Sequence, residues 1–554
     1  MKIISSKRLR PITTCCTFVL LILFLINVPD VFSQEWKYTV QPGDNLWSLS
    51  KKHLKSMRYW KKLVDLNNVQ DPLNIPPGTT LLFPMEWLKS GSSVGVLAEL
   101  TGEATIIERN TGRNIEARKG MFLWDNDILR TAADSNATLQ FADGSKVLVQ
   151  ADSELKMENL MRFGETGMAD TKVRLQSGRT HNNIIPRKGP GSRFEISTPS
   201  AIAAVRGTEY RISAEDNGES KAEVLTGEVG VASSGASQVV PEGFGTISFS
   251  DREPLDPVEL LPPPDLSGFP STITRVPFPL KLKLVDGAQQ YRMQIARDEA
   301  FSTLLFDTTF PNGNIWGPDL PDGNYFLRIH GIDERGLEGM DSIHPLSIDA
   351  HPIPPLQIQP VAEAVLEEAT PSFQWSEPQD VSGYRFQLAG DEHFKQLIID
   401  QSSLIKTLFT PDQEIIPGVY YWRVATVNKK GKTGPFSDPQ QFRRTPPSPD
   451  MSDAKLDTKE MVFRWRQGEP GQTYKCQVSR DTSFSNTLVD AEVTDPQYSL
   501  KSFDSGSYYI RVAVIDSDGY AGPFSPYQTI KVPDPPPHPL TFIVPVIFIL
   551  IILL

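Results

Sequence analysis

One motif, written three times in the second half of the chain, constrains the fold more than any other feature. YRMQIARDEAF (291–301), YRFQLAGDEHF (384–394) and YKCQVSRDTSF (474–484) align without gaps. A Gly-x-Tyr segment follows each: GNYFLRI from Gly323, GVYYWRV from Gly418 and GSYYIRV from Gly506. The second and third copies add GPFS. Proline clusters begin at Pro262, Pro352, Pro446 and Pro535, 90, 94 and 89 residues apart, and mark off units of nearly one length. Within a unit the apolar period is two. Tyr384, Phe386 and Leu388 alternate with Arg385, Gln387 and Ala389, the pattern of a strand with one buried face. Phe373 and Trp375 precede that strand, and Phe463 and Trp465 do so in the next copy, supplying bulky core aromatics. Short strands and turn signals over this length predict three tandem β-sandwiches, at 265–349, 352–445 and 447–533.

These units resemble fibronectin type III modules, with Gly-x-Tyr where that family places its corner tyrosine. The resemblance implies a fold and names no ligand. The first copy departs most, lacking the early tryptophan and GPFS.

Residues 36–84 read differently. Tyr38-Thr39-Val40 is a short strand, Pro42-Gly43-Asp44 a turn, and Asn45 a good N-cap for a helix carrying Leu46, Leu49 and His53. Trp60, Leu63, Val64 and Asn67 recur at helical spacing, and Pro77-Gly78 turns the chain into a closing strand, Leu81 to Pro84. The resulting βααβ unit looks like a LysM domain over its full length. That family binds N-acetylglucosamine-containing glycans, chiefly peptidoglycan and chitin, in a shallow groove between two loops. The resemblance places the groove here at Gly43, Asp44, Asn45 and Leu46 on one side and Asn74, Ile75, Pro76, Pro77 and Gly78 on the other. Backbone groups in such tight loops can bond an N-acetyl group, and Leu46 and Ile75 are expected to meet its methyl. Trp47 and Trp60 are expected to be core residues. Asn45 stands where threonine is common in the family, and the inter-helix segment HLKSMRYW is long and basic.

Residues 94–247 alternate strand-like runs with Gly120, Gly144, Gly178, Gly207 and Gly227, as a compact β-roll with sharp corners requires. A hairpin is expected with Asp143-Gly144 as its two central residues. The order of elements resembles the FecR domain, most specifically over TPSAIAAVRGT (198–208). The named member of that family carries a siderophore signal across the envelope through an inner-membrane segment and a cytoplasmic sigma-regulating region. The resemblance implies fold and periplasmic setting but not sigma control, because no cytoplasmic region is expected before the N-terminal apolar segment. Arg206 is expected to hold a β-corner by pairing with a carboxylate, the alternative being a partner contact.

Both ends are apolar. Lys2, Lys7, Arg8 and Arg10 precede the run Cys15 to Val28, and Val31-Phe32-Ser33 fits a cleavage site, so residues 1–33 read as a signal peptide. Residues 540–554, LTFIVPVIFILIILL, carry no charge. As a helix they would reach about 22 Å, short of a ~30 Å hydrocarbon core. They read as a marginal membrane anchor, with a buried tail or a processed sorting segment as alternatives.

The net charge of −12 argues against nucleic acid as a partner, since the phosphate backbone needs a basic surface. With residues 1–33 removed, Cys476 is alone, so no intramolecular disulfide framework forms. The seven histidines supply no His-x-His or His-Glu-x-x-His ligand set, and no Gly-x-Ser-x-Gly, Walker or dinucleotide loop is present. No cofactor or metal is called for. The expectation is a mostly β, multidomain, non-catalytic protein, secreted across the inner membrane into the periplasm or cell envelope. It would hold peptidoglycan or a related glycan and could meet an envelope protein partner and, through the tail, a membrane. The alternatives are a sensor acting through the FecR-like domain and, third, a cell-wall hydrolase.

Overall fold

The structure, a computed structural model, describes residues 34–205, 207–451, 455–456, 460–501 and 503–534. Residues 1–33, Arg206 and the tail 540–554, with the readings placed on them, lie outside those residues. Strands dominate, and the chain divides into two compact units.

The first unit begins with the βααβ module. Strand β1 (Glu35–Thr39) pairs antiparallel with β2 (Thr80–Pro84), from Glu35 opposite Pro84 to Thr39 opposite Thr80. Helices α1 (Leu46–His53) and α2 (Trp60–Leu66) lie between them in sequence. Asn45 starts α1 as expected. Its side chain accepts from the Ser48 N–H at 2.8 Å, and the Ser48 hydroxyl closes the reciprocal bond. Asn67 lies just past α2 and ties it to β2: its amide donates to Leu63 O and Leu82 O and accepts from Leu82 N.

Eighteen strands, from Gly91–Ser92 to Val258–Glu259, form a closed barrel in this unit. Leu129, Leu139, Leu155, Val173, Ile196 and Val229 belong to its core. The long strand Ala169–Asn183 serves both halves, pairing with Glu154–Arg162 up to Ser177 and with Glu209–Ala214 from Gly178 onward. Gly178 is the corner. A Cβ there would sit 2.6 Å from the Ser153 Cα, so only glycine lets the strand cross. The hairpin after Asn136–Gln140 differs from expectation. The Gly144 N–H donates to Phe141 O, which puts Ala142 and Asp143 at the turn centre and Gly144 after it. Asp143 accepts from both the N–H and the hydroxyl of Ser145, and these bonds select the longer loop.

The βααβ module is not a free bead. Met168 and Phe163, on the barrel hairpin, pack with Trp36, Leu49, Leu63 and Phe83 in one core. Strands of the first repeat also belong to this unit. Gln290–Ala296 pairs antiparallel with Leu304–Phe310 and with Gly323–Ile332, and Leu337 packs with Ile247 and Leu260.

The second unit holds the other two repeats, each built of two sheets. In repeat 2, Phe373–Trp375 lies between Gln357–Gln359 and Leu408–Phe409 in one sheet, and Val381–Ala389 between Leu397–Leu404 and Gly418–Asn428 in the other. Repeat 3 has three strands facing four. Trp375 meets Tyr384, and Trp465 meets Tyr474, edge-on with ring centroids 5.4 Å apart in both cores. The Gly-x-Tyr tyrosines form corners, Tyr420 donating to Ile416 O at 2.8 Å and Tyr508 to Asp504 O at 2.9 Å.

The outward residues of the motif form a ladder that recurs in all three repeats. In repeat 2, Arg385 grips Asp400 with two nitrogens, Gln387 bonds Asp400, and Arg423 bonds Gln387. Repeat 1 repeats this with Arg292, Asp307, Gln294 and Arg328, and repeat 3 with Lys475, Asp490, Gln477 and Arg511. The last phenylalanine of each motif roofs the final arginine, at 4.1 Å for Phe301, 3.9 Å for Phe394 and 4.1 Å for Phe484. The GPFS phenylalanines, Phe436 and Phe524, meet the same arginines at 4.3 Å. Cys476, in repeat 3, is buried, which pushes its thiol up to about 12 and leaves it unreactive.

Candidate glycan-binding site

The two loops named from the sequence meet in the βααβ module. The Leu46 N–H donates to Pro72 O at 2.8 Å, and the Gly78 N–H donates to Val40 O at 2.9 Å, bracing both loops against the body. Gly43 and Gly78 take left-handed conformations, φ +90° and +89°, and nothing lies within 4 Å of a Cβ built on either. Space above both turns is therefore open. Asp44 is fixed as an acceptor, taking the Tyr38 hydroxyl at 2.6 Å and the Gln41 N–H at 2.8 Å. Burial and that bond push the Tyr38 phenol up to about 12. The N–H of Ile75 and the carbonyl of Asn74 carry no hydrogen bond to the described residues.

Two expectations about side chains need correction. Leu46 and Ile75 are 0% and 6% exposed, so both point into the core and offer a ligand only backbone. The helix cap at Asn45 turns Leu46 inward, because the first residue of α1 faces the same stripe as Leu49 and His53. Trp47 is not core either. It is 52% exposed on the opposite face and meets Trp60 edge-on at 5.6 Å. Leu73, unnoticed in the sequence, is 70% exposed beside Asn74. Leu73 follows Pro72, which accepts from Leu46, so an apolar side chain stands at the loop junction.

His53 closes α1 among the rings of Trp36, Tyr38 and Phe83, and neither ring nitrogen has a hydrogen-bond partner among the described residues. Burial, reinforced by Lys52, holds its pKa down at about 4, so it packs as a neutral aromatic.

A second constellation joins the barrel to repeat 1. Arg211 is 1% exposed and donates to Asp341 Oδ1 at 2.9 Å, to Glu338 O at 3.0 Å and to Gly339 O. Glu338 receives Arg179, and Arg292 at 3.0 Å. His330 sits between Glu338 and Asp341, and Glu223 accepts from the Glu338 N–H at 3.3 Å. Against their burial, Arg179, His330 and Arg292 hold the Glu338 carboxyl, and Arg211 and Arg328 the Asp341 carboxyl, well below the usual range. Glu223 goes the other way: burial and the Glu338 charge push it up to about 7. Apart from Arg292, which also lines a cavity beside Asp134 and Leu304, these groups face one another, and their bonds fasten the two folds. Among the described residues no group of three or more His, Cys, Asp or Glu is placed to hold a metal.

The fold defines a multidomain, mostly β protein with a small βααβ module ahead of the barrel. Family models then place the domains. The LysM domain matches residues 38–84, and the FecR protein family matches residues 127–230. The chain thus carries a LysM and a FecR domain, with three β-sandwich repeats behind them. No curated protein matches it. Among solved structures, a protein classed as an anti-sigma factor from Parabacteroides distasonis aligns at 16% identity, over 24% of this chain and 59% of its own, with a TM-score of 0.21. The match spans under two thirds of that protein. The fibronectin(III)-like modules of Clostridium thermocellum CbhA align at 12% identity, over 32% of this chain and 94% of theirs, TM-score 0.16. The FN1-FN3 domains of chicken CNTN1 align at 17% identity over 46% and 93%, TM-score 0.18.

Proposed function

We propose that the protein is a non-catalytic component of the cell envelope that holds peptidoglycan, or a related N-acetylglucosamine-containing glycan, through its LysM domain. The FecR domain and the repeats serve as spacer and protein-docking surface. What supports this most is the open pair of loops at Gly43–Leu46 and Asn74–Gly78, with an unbonded N–H and carbonyl at Ile75 and Asn74 and exposed Trp47 and Leu73 nearby. Small sugar sites bind weakly, so a second attachment through residues 540–554 would raise retention by effective concentration. Among the described residues no helix is long and apolar enough to cross a membrane. The FecR match favours a second reading, a signal transducer whose barrel meets a protein partner at the membrane.

The test is a pull-down on insoluble peptidoglycan with the chain and a Gly43→Val/Gly78→Val variant, whose valines disfavour the left-handed turns. The chain is retained and the variant is not. Equal retention removes the glycan assignment. Release of soluble muropeptides by the purified chain would overturn the non-catalytic reading.

A further inference from the structure

The LysM domain of this acidic chain carries a basic face, with one exposed carboxylate, Glu86, bonded to Trp87 at its edge. Residues 51–62, KKHLKSMRYWKK, hold six Lys or Arg and no acid, while the whole chain carries −12. All six are exposed. Lys52 pairs with Glu165 at 3.4 Å, but no carboxylate of the described residues lies within ion-pair distance of Lys55, Arg58, Lys61 or Lys62. Three of these gather on one ring: Lys55, Arg58 and Lys62 lie 5.6, 5.1 and 6.0 Å from the centre of Tyr59. Tyr59 in turn stacks on Trp87 at 5.4 Å and 20°. Like charges gathered on one ring repel one another, and their partner in the fold is the Tyr59 ring, with the hydroxyl that Arg58 bonds at 3.2 Å, rather than a carboxylate.

We propose that this face binds the carboxylates of peptidoglycan stem peptides while the loops hold the sugar strand; it rests on the glycan reading above. Two features favour this partner. The face is continuous with the loops, because Trp47, next to Leu46, touches Trp60, which adjoins Lys61 and Tyr59. A ligand extending sideways from a bound glycan therefore reaches the cations without leaving the domain. The rings at the centre of the cations, Tyr59 and Trp87, are half-buried and stacked flat on each other, so the exposed groups around them are charged ends rather than apolar side chains.

The experiment compares the chain with Lys55→Gln/Arg58→Gln/Lys61→Gln/Lys62→Gln on three solids: intact sacculi, sacculi stripped of stem peptides by an amidase with the lactyl carboxylates so freed capped as methylamides, and neutral chitin. On intact sacculi at low salt the variant binds about tenfold more weakly, and raising the salt past 0.3 M closes the gap. On stripped strands and chitin the two bind alike. Equal binding to intact and stripped sacculi by the unaltered chain overturns the proposal, as does a variant that weakens on chitin too. Tighter binding to anionic phospholipid vesicles than to sacculi would overturn it in favour of a membrane surface. If the unaltered chain binds neither stripped strands nor chitin, the glycan reading itself fails. The Lys→Arg and Arg58→Lys version retains binding to intact sacculi, which separates charge from damage to the fold.

Discussion

Replacing Arg211 by methionine is the sharpest way to ask whether barrel and first repeat are one folded body. The guanidinium is 1% exposed and stands among three buried carboxyls, Glu223, Glu338 and Asp341. Methionine keeps much of the volume and removes the charge and all five donors. Asp341 loses its 2.9 Å partner, and the carbonyls of Glu338 and Gly339 lose theirs. Asp341 keeps His330 at 2.8 Å and Arg328, but the cluster is left with one cation fewer among three carboxyls and so with one uncompensated charge, a broken buried pair that costs about 3–5 kcal/mol. For a body of this size each kcal/mol is worth about 2–4 °C, so unfolding shifts down by roughly 6–20 °C. Calorimetry on the full chain at pH 7 reads that shift. Arg211→Met combined with Asp341→Asn recovers part of it, because the orphaned charge is gone, and the cycle gives a coupling of about 1–3 kcal/mol. A loss under 1 kcal/mol, or strict additivity, would refute the idea that these groups fasten the two folds.

Three further outcomes follow from the same contacts. Glu223, raised to about 7, keeps a proton in the folded chain that the unfolded chain has released, so stability falls as pH rises from about 4.5 to 7; Glu223→Gln flattens that slope and raises the unfolding midpoint at pH 8 but not at pH 4. His53 is lowered to about 4, so between pH 6.5 and 4 only the unfolded chain takes the proton and stability falls as pH drops; His53→Leu removes this acid-side loss, read from α1 fluorescence through Trp47. Met168→Ala, although in the barrel hairpin, opens the LysM core by about 2–5 kcal/mol, and faster hydrogen exchange at α1 amides shows it; unchanged exchange there would mean the two modules are independent.

How much of this could be read from the chain divides along a physical line. Alternation told which residues of 384–388 face inward, because burial on one face of a strand imposes period two whatever the fold around it. The same alternation placed Arg385 and Gln387 outward and stopped there, since a pattern of polarity does not say which outward groups find each other. The ladder from Asp400 to Arg423 joins three strands that are separated in sequence, and only the register brings them into line. Part of the signal was nevertheless present: the spacing from tyrosine to the phenylalanine of DEAF, DEHF and DTSF is identical in the three copies, and it fixes the outward glutamine and the roofing phenylalanine of each ladder, though not the aspartate and arginine that complete it. The LysM loops were legible for the opposite reason. Gly43 and Gly78 declare turns by themselves, and Asn45 declares a helix start, so the site's backbone could be placed. Its side chains could not. Leu46 and Trp47 are adjacent large side chains, and the capping geometry at Asn45 sets the helix face on which one enters the core while the other faces solvent.

Docking of LysM on the barrel gives the glycan reading a mechanical consequence. A tether transmits force only through joints that hold, and a LysM module on a loose linker would turn freely under load. Here the joint is a shared core. Trp36 of β1 and Met168 of the barrel hairpin are both buried in it, Lys52 reaches Glu165 across it, and a Cβ at Gly189 would sit 2.7 Å from the Met168 sulfur and 3.1 Å from Trp36. Those contacts use β1 and the far end of α1. The loops at Gly43 and Gly78 stay clear of them, with nothing within 4 Å of either built Cβ. The docked face and the open face are thus different faces of one small module. On the glycan reading, a strand held in the loops would be oriented with respect to the barrel, and the Arg211 cluster would extend that orientation to the first repeat. A freely hinged anchor would need neither the buried methionine nor the buried arginine, and their burial argues for an attachment that sets direction as well as place.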